Sequence, residues 1–185
     1  MTAFGNRRPR LFTIGHSDLD IDRFLFALER SSVRLVADVR SNPASARFPW
    51  FERAALSSAL DSRGIAYRWF RDLGGRRPPH DDEDEHTALE HAWQRRYAAA
   101  LNDPVASRAC EELVGVAAST VAALLCAERS PIECHRSLIA DRLVRLGARV
   151  VHLDGSGASA EHEPHPDVEV RDGRFVYAHR QLSLV

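Results

Sequence analysis

Residues 120–154 read "TVAALLCAERSPIECHRSLIADRLVRLGARVVHLD", and their pattern sets the fold class. The first piece, "TVAALLC" (120–126), is an apolar run of strand length that ends on Cys126. A polar loop follows. From Ser137 the period changes: Leu138, Ile139, Leu143 and Leu146 share one helical face, and Gly147 closes it. "ARVVHLD" (148–154) returns to a strand. A strand, a crossover helix and a second strand make a βαβ unit, whose strands must be parallel.

The same alternation runs back toward the N-terminus. "RLFTIGHS" (10–17) reads as a strand ending in a glycine turn. "DLDIDRFLFALERSS" (18–32) reads as a helix capped by Ser17 or Asp18, with Ile21, Phe24, Leu25 and Leu28 on one face. "VRLVADVRS" (33–41) is a valine-rich strand and "NPASARFPWF" a loop. "ERAALSSALDSRG" (52–64) is a helix closed by Gly64. "IAYRWF" (65–70) is a strand, "RDLGGRRPPH" a non-helical loop, and "DDEDEH" (81–86) a solvated acidic run. Residues 87–101 and 105–118 read as helices. Beyond 154, "GSGASAEHEPHPD" (155–167) has the composition of a linker. Asp172-Gly173 between alternating segments signals a hairpin. The expected fold is therefore α/β: a single domain over residues 10–154, with a mainly parallel sheet of about five strands and helices on both faces. Residues 155–185 are expected to form a linker and a C-terminal hairpin or tail. His152, His162 and His165 are not read as a site, because the last two fall in that linker beside Glu161 and Glu163.

Composition excludes some chemistry. All 25 basic residues are arginine, so no lysine is present to form a Schiff base or serve a Walker-type phosphate loop. An anion would be held by guanidinium forks or backbone N–H groups. The net charge is -1, which argues for no partner by itself. Three cysteines and no secretory leader argue against a disulfide framework and for reduced thiols in the cytoplasm. No apolar stretch reaches the roughly 18 residues of a membrane span.

In an open α/β sheet, ligands bind outside the carboxyl ends of the strands. Here those ends carry Gly15-His16-Ser17, then Asp38-Val39-Arg40, then Leu73-Gly74-Gly75 beyond the third strand, then Cys126-Ala127-Glu128, and His152. Residues 34–77 hold nine arginines against four acidic residues, a basic rim suited to an anionic ligand or balanced by the acidic run at 81–85. The loop "CAERSPIECHRS" concentrates further chemistry. Arg136-Ser137 opens a helix, where unpaired N–H groups and the dipole favour an anion. A cysteine there would be acidified and nucleophilic, with His135 beside it. Cys134 is thus the candidate nucleophile, and Cys126 reads as a small core residue. Glu128 is a candidate acid/base or an ion-pair partner of Arg129 or Arg136.

The segments "TIGHS", "LVADVRSNPAS", "GIAYRWFRDLGG", "LLCAERSPIECHRSLIADRL" and "VVHL", in that order, resemble the domain of unknown function 488 family over about residues 11–154. The resemblance implies a bacterial or archaeal soluble protein and assigns no activity. Its hallmark positions fall on Gly15, His16, Ser17, Asp38, Arg40, Pro43, Leu73, Gly74, Gly75, Cys126, Glu128, Cys134, His135 and Arg136. A fainter likeness to rhodaneses and cysteine phosphatases covers the framework only, since the C-x5-R loop is absent.

Three functions follow from the residues. In the first, an enzyme binds a small anionic, phosphorylated or nucleotide-like substrate. Cys134, His16, Glu128 and Asp38 are its catalytic candidates, and Arg40, Arg136, His135, Ser17, Gly74 and Gly75 its binding candidates. In the second, Cys126, Cys134, His135 and His16 hold a metal, although C-x7-C-H matches no common zinc spacing. In the third, arginines 40, 47, 53, 63, 68, 71, 76 and 77 grip nucleic acid phosphates while Trp50, Phe51, Trp69 and Phe70 stack on bases. The substrate and the oligomeric state are not encoded in any motif.

Overall fold

A computed structural model describes residues 8–179. Five parallel strands form the centre: β1 (Arg10–Gly15), β2 (Leu35–Asp38), β3 (Ala66–Trp69), β4 (Ala122–Cys126) and β5 (Arg149–Leu153). A sixth, β6 (Ser159–Glu161), adds antiparallel to β5, giving the order β3-β2-β4-β1-β5-β6. The helices are α1 (Ile21–Arg30), α2 (Arg53–Asp61), α3 (Ala92–Leu101), α4 (Pro104–Ser119) and α5 (Arg136–Arg145). A hairpin of β7 (Val168–Arg171) and β8 (Arg174–Tyr177) completes the chain, with Asp172 and Gly173 both at positive φ in its turn. The fold is the α/β class expected, in one domain.

Strand periodicity divides the core in two. Phe12 and Ile14 of β1 and Ala123 and Leu125 of β4 face α1 and α2, meeting Phe24, Leu28, Leu56 and Leu60. Leu11, Ala122, Leu124 and Cys126 face the other way, toward Tyr97, Cys110, Leu113, Leu138 and Leu143 of α3, α4 and α5. Each fully buried Leu or Phe contributes roughly 1.5–3 kcal/mol of transfer free energy. This two-sided burial explains why the strands read as continuous apolar runs.

Several boundaries shift for local reasons. The cap of α1 is Asp20, whose carboxylate accepts the Arg23 N–H at 2.8 Å, so neither Ser17 nor Asp18 caps it. Residues 87–91 stay outside α3, which His91 and Gln94 cap reciprocally. The loop 71–80 opens with a short 3-10 turn, Arg71–Leu73. The acidic run is pinned rather than free: Glu83 pairs with Arg96, and Asp82 and Glu85 with Arg174.

The largest difference lies after residue 154. Residues 155–167 contain β6 rather than a plain linker, and the hairpin packs Val168, Phe175 and Tyr177 into the core beside α3–α5. The His162 side chain is largely covered, and a continuous polar chain runs through it. Thr13 Oγ1 lies 2.7 Å from His152 Nδ1, and His152 Nε2 lies 2.9 Å from His162 Nδ1. His162 Nε2 lies 2.7 Å from Asp141 Oδ1, and Tyr177 OH donates to Asp141 Oδ2 at 2.9 Å. The histidines taken for solvated linker residues instead fasten the C-terminal segment to α5.

Burial also sets an acid limit. His16, His86 and His152 each have a pKa lowered to about 4, chiefly because burial disfavours the charged ring. In the unfolded chain these rings take a proton near pH 6.5. Between pH 6.5 and 4 the unfolded state therefore binds more protons, and stability falls as pH drops through that window. The melting midpoint should fall by roughly 5–10 °C between pH 7 and pH 5. A midpoint unchanged over that interval in calorimetry would show that the rings are protonated in the fold.

Candidate functional site

β4 lies between β1 and β2, and it is followed by α5 on one face while β1 and β2 are followed by α1 and α2 on the other. Diverging connections of this kind open a crevice at the carboxyl edge of the strands. A cavity of about 480 Å³ occupies it. Among its lining residues are His16 beyond β1, Arg40 beyond β2, Gly75, and Cys126, Glu128, Cys134 and His135 from the end of β4 and its loop.

The close passage of the chain here depends on two glycines. Gly15 pairs with Cys126 in register, and the ladder continues through His16 N to Cys126 O at 2.9 Å and Ser17 N to Ala127 O at 2.8 Å. A Cβ on Gly15 would overlap the carbonyl of Glu128. A Cβ on Gly75 would lie 2.5 Å from His135 Nδ1. Gly74 packs instead on Ser41 and does not line the cavity.

The sulfurs, Glu128 and His135 form the floor. Glu128 Oε2 lies 2.6 Å from Cys126 Sγ and 3.2 Å from Cys134 Sγ. His135 Nδ1 lies 3.7 Å from both sulfurs, while its Nε2 lies 2.9 Å from the Val39 carbonyl and donates to it. One donor atom from each of Cys126, Glu128, Cys134 and His135 lies within 4.8 Å of every other, a grouping with the ligand types of a divalent metal site. His16 is not in that group. Its ring stacks on Phe51 at 4.2 Å between centroids, and its Nδ1 lies 3.1 Å from the Ser17 carbonyl.

Arg136 is fully buried and spent on the loop. Its Nη2 donates to the carbonyls of Glu128 at 2.5 Å and Arg129 at 3.1 Å, its Nη1 to Thr13 Oγ1 at 3.4 Å, and its Nε to Cys134 Sγ at 3.3 Å. No carboxylate is within ion-pair reach of this guanidinium among the described residues, so the sulfur is the group left to balance it. Burial alone would raise the Cys134 pKa. Hydrogen bonds from Cys126 and His135 and the neighbouring positive charge of Arg136 reverse that and place it well below an ordinary thiol. Cys126 moves the opposite way: its hydrogen bond to Cys134, its burial and the Glu128 charge keep it protonated.

The other expected site residues fall in different places. Asp38 is buried and does not line the cavity. It accepts Arg40 Nε at 3.0 Å, Arg40 Nη2 at 2.6 Å and Tyr67 OH at 2.7 Å. With its lone pairs occupied, it orients Arg40, whose Nη1 also donates to the Phe51 carbonyl at 2.9 Å. Arg136 does not reach the cavity as an anion clamp, and Ser137 N at the helix start donates back to Cys134 O at 3.1 Å. Ser17, at φ 44, lines a separate hollow with Asp18 and Arg129. Phe51 and Phe70 are core residues and offer no stacking face, and Arg63 and Arg68 are paired with Glu29 and Glu112.

Sequence reasoning missed Ser41, Asn42, Ser45, Trp93 and Glu133, which line the same cavity, and it named Arg76 there only as a nucleic-acid contact. The segment 41–45 follows Arg40, so the strand-end rule carried five residues further would have reached it.

The chain matches the family described as "Domain of unknown function DUF488" over residues 20–143. Neither the curated proteins nor the solved structures contain a match to it. Among the described residues no helix is long and apolar enough to cross a membrane.

Proposed function

From the premise that this chain belongs to the DUF488 family, whose name assigns no activity, we propose that the cavity is the active site of an enzyme acting on a small anionic substrate through the Cys134 thiolate. One observation carries this reading: Cys134, Glu128, His16 and Arg40, drawn from three different strand ends, line a single cavity. The buried Arg136 and the adjacent His135 hold Cys134 as thiolate, the attacking form. Glu128, in contact with both sulfurs, is the acid/base. Neutral His16 accepts a hydrogen bond, and Arg40 and Arg76 supply positive charge for a phosphorylated or nucleotide-like ligand. Asp38 fixes Arg40.

The pH dependence of alkylation tests the proposal. An ordinary cysteine, with a pKa near 8.5, loses roughly 50- to 100-fold in thiolate between pH 8 and pH 6. Cys134 should instead react with iodoacetamide at nearly the same rate at both pH values. A steep fall toward pH 6, or no labelling of Cys134 at all, defeats the proposal.

A divalent cation held by Cys126, Glu128, Cys134 and His135 is the second reading, favoured by the mutual closeness of the four donors. In that reading the Val39 carbonyl fixes the ring of His135, as second-sphere acceptors do for metal-bound histidine. Elemental analysis of tag-free protein decides it: stoichiometric metal supports it and none removes it.

A further inference from the structure

Cys126 has the sequence of a core residue and the position of a reactant. It ends β4, lines the cavity, and shares two partners with Cys134: the same Glu128 oxygen and the same His135 nitrogen. The two sulfurs lie within 4.8 Å of each other, and both are free thiols. The residues that join them, 127–133, are a loop rather than a strand or helix, so the Cys134 sulfur can move toward Cys126 without breaking a sheet ladder.

We propose that Cys126 and Cys134 work as a dithiol pair that reduces a small anionic disulfide bound beside Arg40 and Arg76. The inference rests on the reading of Cys134 as a thiolate nucleophile and adds a second reacting sulfur. The Cys134 thiolate attacks one sulfur of the substrate, the substrate S–S bond breaks, and the first substrate thiolate leaves. A mixed disulfide now joins Cys134 to the other half. Glu128 takes the proton from the Cys126 thiol. The Cys126 thiolate attacks the Cys134 sulfur, the mixed disulfide breaks, and the second substrate half leaves with the proton from Glu128. The substrate gains two electrons and becomes one thiolate and one thiol, and the protein holds a Cys126–Cys134 disulfide. A low-molecular-weight thiol, itself oxidised to a disulfide, restores the pair by the reverse exchange.

The positions of the charges favour this direction. The first attack needs a thiolate, and Cys134 is the sulfur in contact with a guanidinium. The second attack needs a thiol with a base beside it, and Cys126 has the shorter contact to Glu128. The cavity also bears on the substrate: its volume is about 480 Å³ and its positive groups are Arg40 and Arg76, which suits a small molecule with negative charge better than an extended protein disulfide.

The experiment mixes the whole chain with dithiobis(nitrobenzoate), an aromatic dianionic disulfide whose released thiolate absorbs visible light, and maps the products by mass spectrometry. The expected result for the wild type is release of two thiolates per reacted site, no retained adduct, and a peptide cross-link between Cys126 and Cys134. Cys126→Ser should release one thiolate and keep a mixed disulfide on Cys134. A stable adduct on Cys134 in the wild type overturns the dithiol inference and leaves the thiolate nucleophile standing. No reaction at Cys134 overturns both. The wild-type result decides even if the variant fails to fold, and any label found on the buried Cys110 reports opening of the core and is counted separately.

Discussion

Replacing Arg136 with methionine is expected to cost about 3–5 kcal/mol of stability, by the measure of breaking a buried charged contact on one side only. It should also return Cys134 to ordinary thiol behaviour. Methionine keeps the apolar stem, so the loss isolates the guanidinium. That group holds two carbonyls of the loop after β4, the Thr13 hydroxyl of β1 and the Cys134 sulfur. Without it, two loop carbonyls and the buried Thr13 hydroxyl lose a donor, at a cost of up to roughly 1–3 kcal/mol each that will not simply add. The thiolate loses its closest positive charge, so its pKa must rise. Urea denaturation should show a lower midpoint, and alkylation of Cys134 should slow steeply between pH 8 and pH 6 where the wild type stays flat. If the variant melts like the wild type and remains flat with pH, Arg136 is neither strut nor counter-ion. A second measurement separates the two roles. Cys134→Ser removes the anion and leaves the guanidinium unbalanced, so the Arg136→Met, Cys134→Ser double variant should cost less than the sum of the singles.

The same residue shows where sequence reasoning reaches its limit. An arginine that opens a helix at a strand end reads as an anion clamp, because helix starts and guanidinium groups both attract anions. Its true environment is set by Gly15, more than a hundred positions away, whose missing side chain leaves room for the Glu128 carbonyl and the Arg136 Nη2. No local pattern reports such a packing relation. Asp38 and Arg40 are different. Two residues apart in an extended segment, they lie on one face, and their mutual ion pair was open to inference from spacing alone. Cys126 was masked by its neighbours: Ala122 to Leu125 are buried on both faces, and only the termination of the sheet at residue 126 turns its sulfur toward a cavity.

The fold itself was readable because burial on both faces writes itself into composition. Apolar runs at 10–15, 35–38 and 122–126 could only be central strands, and the helical stripes between them could only cover the two faces. The C-terminal segment was unreadable for the opposite reason. Its residues are histidine, proline and acid, and composition alone cannot tell a solvated polar residue from a buried one whose every hydrogen bond is met. The signal that was present lies across the chain, in a histidine on β5 and an aspartate in the middle of an otherwise apolar helix face. Asp141 stands between Ala140 and Leu143 in a helix where a carboxylate without partners would be costly.

That aspartate sustains the second large effect. Asp141→Ala should destabilise the protein by about 3 kcal/mol or more. The carboxylate accepts from His162 Nε2 at 2.7 Å, from the His165 backbone N–H at 3.0 Å and from Tyr177 OH at 2.9 Å, and both Asp141 and Tyr177 are buried. The three donors come from the segment that follows β5, so one side chain on α5 ties the C-terminal return at three points. Truncation leaves the buried Tyr177 hydroxyl and the part-buried His165 N–H without acceptors, and it opens a void at the centre of the contact. The cost should be local in structure as well as large. Amide hydrogens of β7 and β8 should exchange faster in the variant by several orders of magnitude, while those of β1 and β4 follow the global stability. Tyr177→Phe removes one of the orphaned donors in advance, so adding it to Asp141→Ala should cost less than it does in the wild type. A double variant as unstable as the sum of its parts would mean that the carboxylate and the phenol act independently.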